Sequence, residues 1–249
     1  MFVEADWESG ENWLTAWFAQ DHERMERLRQ PGYSEHADLA SRIFGVTVVK
    51  GGENEHLYTA GKIVNHGRNY GMGPKHLQEH LEINEFYCSL GDVKEMIEEW
   101  RRLNAQTARW QDQTIAQAGA QGFLVNPFGR KRWWQSRDYA NKALAYLPAS
   151  TLAEMMLRVI IALNPHKYLD EIGNLKIKVF DRLPMDWRLG WVVHDSFIVT
   201  GPDTGSFAAA KVLREVMEQP WEELGGFHLT VEIKHSTKSW GDVKIMEGV

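Results

Sequence analysis

The chain of 249 residues has a single cysteine, Cys88. That excludes an intrachain disulfide framework and fits a reducing compartment. Long apolar runs are missing too. The longest such stretch, Leu152 to Leu163, is interrupted by Glu154 and Arg158, so neither a transmembrane helix nor a membrane partner is expected. The opening residues MFVEADWE have no basic n-region and no apolar h-region, so no signal peptide is read and a cytoplasmic location is expected. No repeat or low-complexity segment appears. Positive charge is in deficit: 28 basic against 34 acidic residues give a net charge of -6. This argues against a simple nucleic-acid coat protein but says nothing about an enzyme whose basic residues gather in one cleft. What remains is ordinary globular composition, 43% hydrophobic and 25% charged, which excludes disorder, collagen and coiled coil. The length allows one large domain or two small ones. Tryptophan is abundant, with 11 residues, and suggests stacking or interface surfaces as well as core.

The pattern along the chain predicts a short strand at FVEADW, then a helix from Asn12 to Arg29 with Trp13, Trp17 and Phe18 on one face. Pro31-Gly32 reads as a turn. Further helices are predicted over His36 to Phe44, Leu57 to Met72, a short one from Pro74, and one or two long ones over Leu90 to Gln121. Phe123 to Val125 and Pro127 to Gly129 read as strand and turn. Arg137 to Leu147 and Leu152 to Leu163 read as helices separated by Pro148. The texture then changes. Leu175 to Val179, Trp191 to Thr200 and Leu229 to Ile233 read as strands, with a helix over Phe207 to Met217. A helical middle between strands at both ends predicts a sheet whose first strand comes early and whose partners come late.

Five constellations carry chemistry. Asp6 ends the first strand-like run, and Asp195 sits in WVVHDSFIV, where two apolar halves flank a tight β-hairpin. An acid at such a place is costly unless solvated or bound to a cation. Two on neighbouring strands make an oxygen-ligand site for Mg²⁺, the minimum for two-metal phosphoryl or nucleotidyl transfer. From spacing alone, Asp6 as a helix cap and Asp195 as a turn residue stay open. Lys62, His66 and Tyr70 stand at i, i+4 and i+8 in AGKIVNHGRNYGMG, on one helix face and spanning about 12 Å at ~1.5 Å per residue. That suits a nucleoside triphosphate, with Lys62 on phosphate; taken alone, the segment favours the plainer reading of an amphipathic helix with a solvated lysine. The glycines there form neither a P-loop nor G-x-G-x-x-G. Arg130, Lys131, Arg132, Arg137 and Lys142, interleaved with Trp133 and Trp134 and opposed by Asp138, suit a nucleic-acid backbone with base stacking, or a solvated helix start. His76 and His80 have zinc spacing but no third ligand or H-E-x-x-H. Cys88 is most simply a packed small residue.

Taken in order, these segments resemble the core of family A DNA polymerases, the DNA polymerase I type. ADWESGENW resembles motif A, D-Y-S-Q-I-E-L-R, with Asp6 at the metal-binding aspartate and Glu11 at the glutamate that acts as a ribose gate. EHADLASRIFG resembles D-I-H-x-x-T-A-x-x-V-F-G and places His36 at a phosphate-contacting histidine. KIVNHGRNYGM resembles motif B, K-x-x-x-[FY]-G-x-x-Y-G; GFLVNPFGRKR resembles G-Y-V-x-T-x-x-G-R-R-R. VVHDSF resembles motif C, V-H-D-E, and VEIKHSTKSW resembles V-E-x-x-x-G-x-x-W. The resemblance spans the whole chain. There are departures: His66 stands where Phe or Tyr is usual, Tyr58 where arginine is usual, and Ser196 where motif C carries glutamate. Single-subunit RNA polymerases also read H-D-S. These substitutions point to a divergent, viral branch, in which case the compartment is the host cytoplasm.

The resemblance implies an α+β fold: a polymerase palm, an antiparallel sheet with helices, from residues 1–21 and 136–249, with an inserted, mostly α-helical fingers subdomain at 22–135. It implies template-directed transfer of a dNTP to a primer 3′-OH. Asp6, Asp195 and the backbone carbonyl of Trp7 would hold two Mg²⁺; Lys62 and His36 would bind phosphates. Glu11 and His66 would also face the nucleotide, and Tyr70 would stack at the template–nascent pair. His194 would touch the primer end, with Lys142, Ser150, Arg130, Lys131 and Arg132 on primer–template DNA. A single-subunit RNA polymerase would usually have glycine at the Glu11 position; a binding relic should have lost a metal acid; a nuclease needs a larger carboxylate cluster. Because motif A begins five residues after Met1, the expectation is a fragment or a split enzyme whose N-terminal partner chain supplies thumb and exonuclease. An exposed sheet edge or apolar surface near Phe2 and Val3 is expected as its docking site.

Overall fold

The computed structural model describes residues 1–135, 139–163, 182–184 and 186–249. The strand expected over Leu175 to Val179, together with Arg137 and Asp138, lies outside the described residues. The chain divides into two compact units, residues 1–10 with 151–249, and residues 11–150.

The first unit is built on an antiparallel sheet. Its strands are β1 (Phe2–Trp7), β4 (Arg188–Val193), β5 (Ser196–Thr200), β6 (Val231–Ser236) and β7 (Lys244–Ile245), in the order β4-β5-β1-β6-β7. The earliest strand thus pairs with the latest ones. This overturns the expected free edge near Phe2 and Val3: β5 and β6 flank β1 on both sides, with Val3 opposite Val199 and His235, and Val3 is fully buried. Successive side chains of a strand point to opposite faces. Val3, Ala5 and Trp7 face α9 (Ser206–Met217), whose Ala209, Leu213, Val216 and Met217 are buried. Trp7 meets Phe197 edge-on at 5.9 Å and donates its indole N–H to the Met217 carbonyl at 3.1 Å. Phe2, Glu4 and Asp6 take the other face, where Phe2 stacks on Trp191 at 6.2 Å.

The second unit is helical. The single helix expected over Asn12 to Arg29 is two, α1 (Gly10–Phe18) and α2 (His22–Leu28). Gln20 adopts a left-handed φ of 51°, which ends α1, and the Asp21 carboxylate caps α2 by accepting from the Arg24 amide at 3.1 Å. Then follow α3 (Glu35–Phe44), α4 (Glu55–Asn69), α5 (Pro74–Ile83), α6 (Leu90–Leu103) and α7 (Ala105–Gln121). Leu39, Val64, Leu77, Leu81, Val93 and Trp100 pack into their core. Gly61 lets α3 and α4 touch: a Cβ there would stand 2.7 Å from the His36 carbonyl oxygen and 2.7 Å from the Ala40 Cβ. A hairpin of β2 (Phe123–Val125) and β3 (Lys131–Trp133) follows α7.

Pro148 does not separate two helices. It lies inside α8 (Ala140–Leu163), 24 residues long. A proline in a helix forfeits a backbone hydrogen bond, but Leu144, Leu147, Leu152 and Met155 around it are buried, and this packing holds the helix through it. Uninterrupted, α8 is long and apolar enough to cross a membrane by length and composition alone, a test that a core helix packed inside a protein also passes. Its Arg158 pairs with Glu223 at 2.7 Å.

A buried polar network ties the helical unit together. Arg24, fully buried, makes a two-pronged bond to Glu35 at 2.5 and 3.0 Å. It also donates to Thr107 at 3.2 Å and Asn69 at 3.1 Å. Asp21 accepts from the Thr107 hydroxyl at 3.0 Å, and Asn65 donates to Glu35 at 3.1 Å. The network therefore links α2, α3, α4 and α7. The Arg24 charge holds the Glu35 carboxyl below its usual range against the cost of burial. Removing one member of a buried ion pair strands the other, at about 3–5 kcal/mol. Glu35→Ala should lower the unfolding free energy by about that much, read by urea denaturation; a loss under about 1 kcal/mol would contradict the anchoring role.

Candidate active site

The β4–β5 hairpin turns on two residues, His194 and Asp195, with His194 at a left-handed φ of 55°. The exposed imidazole of His194 thus sits at the loop, and the pairing of Ser196 with Asp6 brings Asp195 to the end of β1. The two carboxyls meet. Burial first, then the negative charge of Asp195 and a hydrogen bond between the two carboxyls, push Asp6 from 3.8 up to about 7. Glu4 adds to the rise and Lys234 opposes it. Lys234 itself pairs with Glu232 at 2.5 Å. Trp7, whose backbone ends β1 beside this pair, points its side chain into the opposite core.

The sequence reading did not single out Glu4. It lies two residues before Asp6 on the same face and is buried. Its carboxylate accepts from the Ser196 hydroxyl at 2.7 Å and from the Trp240 indole at 3.1 Å. The signal was available, because strand alternation in FVEAD puts both acids on one face.

Two hard-oxygen carboxylates at adjoining strand ends, one of them disfavoured as an anion by the other, are the donor chemistry that Mg²⁺ takes. Among the described residues no three His, Cys, Asp or Glu side chains converge as a metal cluster.

In the helical unit, His36 and His66 lie with ring centroids 5.0 Å apart. Burial first, then the neighbouring His66 and Lys62, push His36 down to about 4; burial and Lys62 also lower His66. The proton position on His36 follows from its neighbours. The Trp100 indole can only donate, and does so to Asn65 Oδ1 at 2.9 Å. That orients the Asn65 amide so that its Nδ2 faces His36 Nδ1 at 3.2 Å. Nδ1 is then the acceptor, and the ring is neutral with its proton on Nε2. Lys62 is exposed on α4. Tyr70 falls just beyond the last residue of α4, so the expected common helix face holds only Lys62 and His66. The Tyr70 hydroxyl donates to Glu11 in a short bond, and burial, then this bond, raise the phenol.

Arg130, Lys131 and Arg132 are exposed on the β2–β3 hairpin. Lys131 lies 4.1 Å from the Phe123 ring and 4.9 Å from the Trp133 ring; Arg132 lies 4.8 Å from Trp134. Ser150 accepts from Asn126 at 3.1 Å, so its hydroxyl ties α8 to the hairpin loop. Lys142 is exposed on α8.

The model of DNA polymerase family A matches residues 1–242. The chain belongs to DNA polymerase family A. It is similar to the thermostable DNA polymerase I of Thermus aquaticus, 25% identical over 205 residues, covering 79% of this chain and 22% of that protein. It is also similar to DNA polymerase I of Chloroflexus aurantiacus, 27% identical over 231 residues, covering 90% of this chain and 22% of that protein. The chain thus spans under a quarter of the length of these relatives. In fold it is similar to the POL domain of Pol1 from M. smegmatis, solved in complex with DNA primer-template and dNTP. The TM-score is 0.71 at 18% identity, over 93% of this chain and 38% of that one. The family's α+β architecture, antiparallel sheet with helices, is what the chain adopts.

The raised Asp6 sets a pH dependence. Below about 4, Asp6 is protonated in both folded and unfolded chains and costs nothing. As pH rises towards 7 the unfolded chain releases this proton while the folded one keeps it, so stability falls. Asp6→Asn should flatten the decline in melting temperature between pH 5 and pH 8 in chelator, and an unchanged slope would contradict the carboxyl pairing.

Proposed function

We propose that this chain carries out template-directed DNA synthesis, adding a dNTP to a primer 3′-OH with release of pyrophosphate. The observation that carries this reading is the Asp6–Asp195 carboxyl pair at the end of β1, in a chain of DNA polymerase family A. The M. smegmatis POL domain binds DNA primer-template and dNTP, and the same ligand classes are proposed here. The sheet unit takes the part of the palm and the helical segment that of the fingers.

Asp6 and Asp195, with the Trp7 backbone carbonyl, would hold two Mg²⁺. Bound there, the ions would supply Lewis acidity towards the 3′-hydroxyl and neutralise phosphate charge. Asp6 must give up its proton on loading. Lys62 offers a point charge to the triphosphate, and neutral His36 offers its Nε2–H as a hydrogen-bond donor. Glu11, which accepts from the Tyr70 hydroxyl, is assigned to crowd a ribose 2′-hydroxyl, a role that would favour DNA over RNA as product. His66 adds a ring beside His36 on the nucleotide side. His194 is assigned to the primer end. Arg130, Lys131, Arg132 and Lys142 are assigned to DNA phosphates, with Ser150 positioning the hairpin that carries three of them.

Single-nucleotide incorporation on a primer–template tests this. Asp195→Asn should cut the rate at least about a hundredfold, roughly 3 kcal/mol of barrier, while gel-shift affinity for primer–template stays within about twofold. Incorporation at wild-type rate by this variant would refute the assignment. In the same assay Glu11→Ala should raise ribonucleotide use relative to deoxynucleotide by about tenfold or more. Unchanged discrimination would remove Glu11 as the gate.

A further inference from the structure

We propose that Glu4 is a positioning residue of the acidic face, supplying from β1 the third carboxylate charge that motif C lacks at Ser196. The inference rests on the polymerase reading for its purpose and on the sheet geometry for its substance. Glu4 is 8% exposed in the middle of a central strand, a place where glutamate is uncommon. It shares a face with Asp6, and Ser196 stands directly opposite Asp6 and next to Asp195. The Ser196 hydroxyl donates to one Glu4 oxygen at 2.7 Å and the Trp240 indole N–H to the other at 3.1 Å.

Both partners are neutral donors. The nearby cation, Lys234, has its ammonium 2.5 Å from Glu232. Among the described residues the Glu4 charge is therefore held in place but not cancelled by a direct ion pair. A glutamine would satisfy the same two partners, its oxygen accepting from Trp240 and its amide donating to the Ser196 hydroxyl, at a far smaller desolvation cost. What glutamine cannot supply is the negative charge, which is felt at Asp6. The hydrogen bond through Ser196 also fixes the start of β5, beside Asp195. Glu4 so contributes both field and alignment to the two carboxylates, and an acid at position 196 would reach the same patch from the neighbouring strand.

The test is Mn²⁺ binding to the full 249-residue chain, followed by electron paramagnetic resonance of the free ion, with folding checked by circular dichroism. Glu4→Gln keeps the hydrogen bonds and should weaken Mn²⁺ about five- to tenfold. The exchange Glu4→Ser with Ser196→Glu should restore affinity to within about threefold of wild type. Glu4→Gln binding within twofold of wild type would overturn the proposal and leave Glu4 a structural acceptor. A folded exchange variant that stays as weak as Glu4→Gln would also overturn it, as would a wild type that binds no Mn²⁺ at millimolar concentration. Single-nucleotide incorporation is read separately: a wild type that binds Mn²⁺ with this pattern but adds no nucleotide to a primer 3′-OH would sink the polymerase reading and leave the role of Glu4 standing.

Discussion

The sheet unit depends on the two-residue period of β1. Six residues must do opposite things on their two faces. Val3, Ala5 and Trp7 bury against α9 and are almost wholly removed from solvent, while Glu4 and Asp6 gather acid on the other side. A shift of one residue in pairing would exchange the faces, placing two carboxylates in an apolar core. The register is held from both sides, by β5 and by β6, and at the far end by the Trp7 indole bond to Met217. The acidic face therefore exists because the apolar one is so strongly specified.

That arrangement works against the stability of the empty protein. Asp6, Asp195 and Glu4 repel one another on a half-buried surface, and Asp6 responds by keeping its proton to about pH 7. Natural folds tolerate such local conflict where a ligand relieves it, since anything that binds the folded chain alone adds stability by mass action. The conflict has two members on β1 and the third at the β4–β5 turn, and they converge only through strand pairing.

This explains what was legible in the sequence and what was not. Asp6 and Asp195 were readable because each ends an apolar run and because the ordered motifs resemble one family. That β1 finds its partners late in the chain is legible from strands at both ends, but its central place is not, since nothing local marks a strand paired along both edges, and the early place of this strand in the chain points instead to a free edge at Val3. Local propensity makes Pro148 a break; buried leucines on both sides override it. The break at Gln20 had the opposite cause, a backbone conformation that apolar spacing does not reveal. Glu4 was visible by alternation alone but looked like any strand glutamate until Ser196 and Trp240 were found on its oxygens. Arg24 and Glu35 look like surface charges on amphipathic helices, and only their burial makes them an anchor.

That anchor also reaches the chemistry of the helical unit. A buried ion pair is poor evidence for stability on its own, because desolvation offsets most of its attraction. Here it has a second consequence. Glu35 takes one Asn65 amide hydrogen and Trp100 occupies the Asn65 oxygen, so the remaining Asn65 hydrogen has His36 Nδ1 before it. A protonated His36 would set two donors against each other and would lie beside Lys62 and His66, whose charges already disfavour it. The network thus keeps His36 neutral and leaves Nε2–H as its donor. Hydrogen-bond geometry rather than net charge decides what His36 presents, and a histidine chosen for charge alone would have no need of Trp100 and Asn65 behind it.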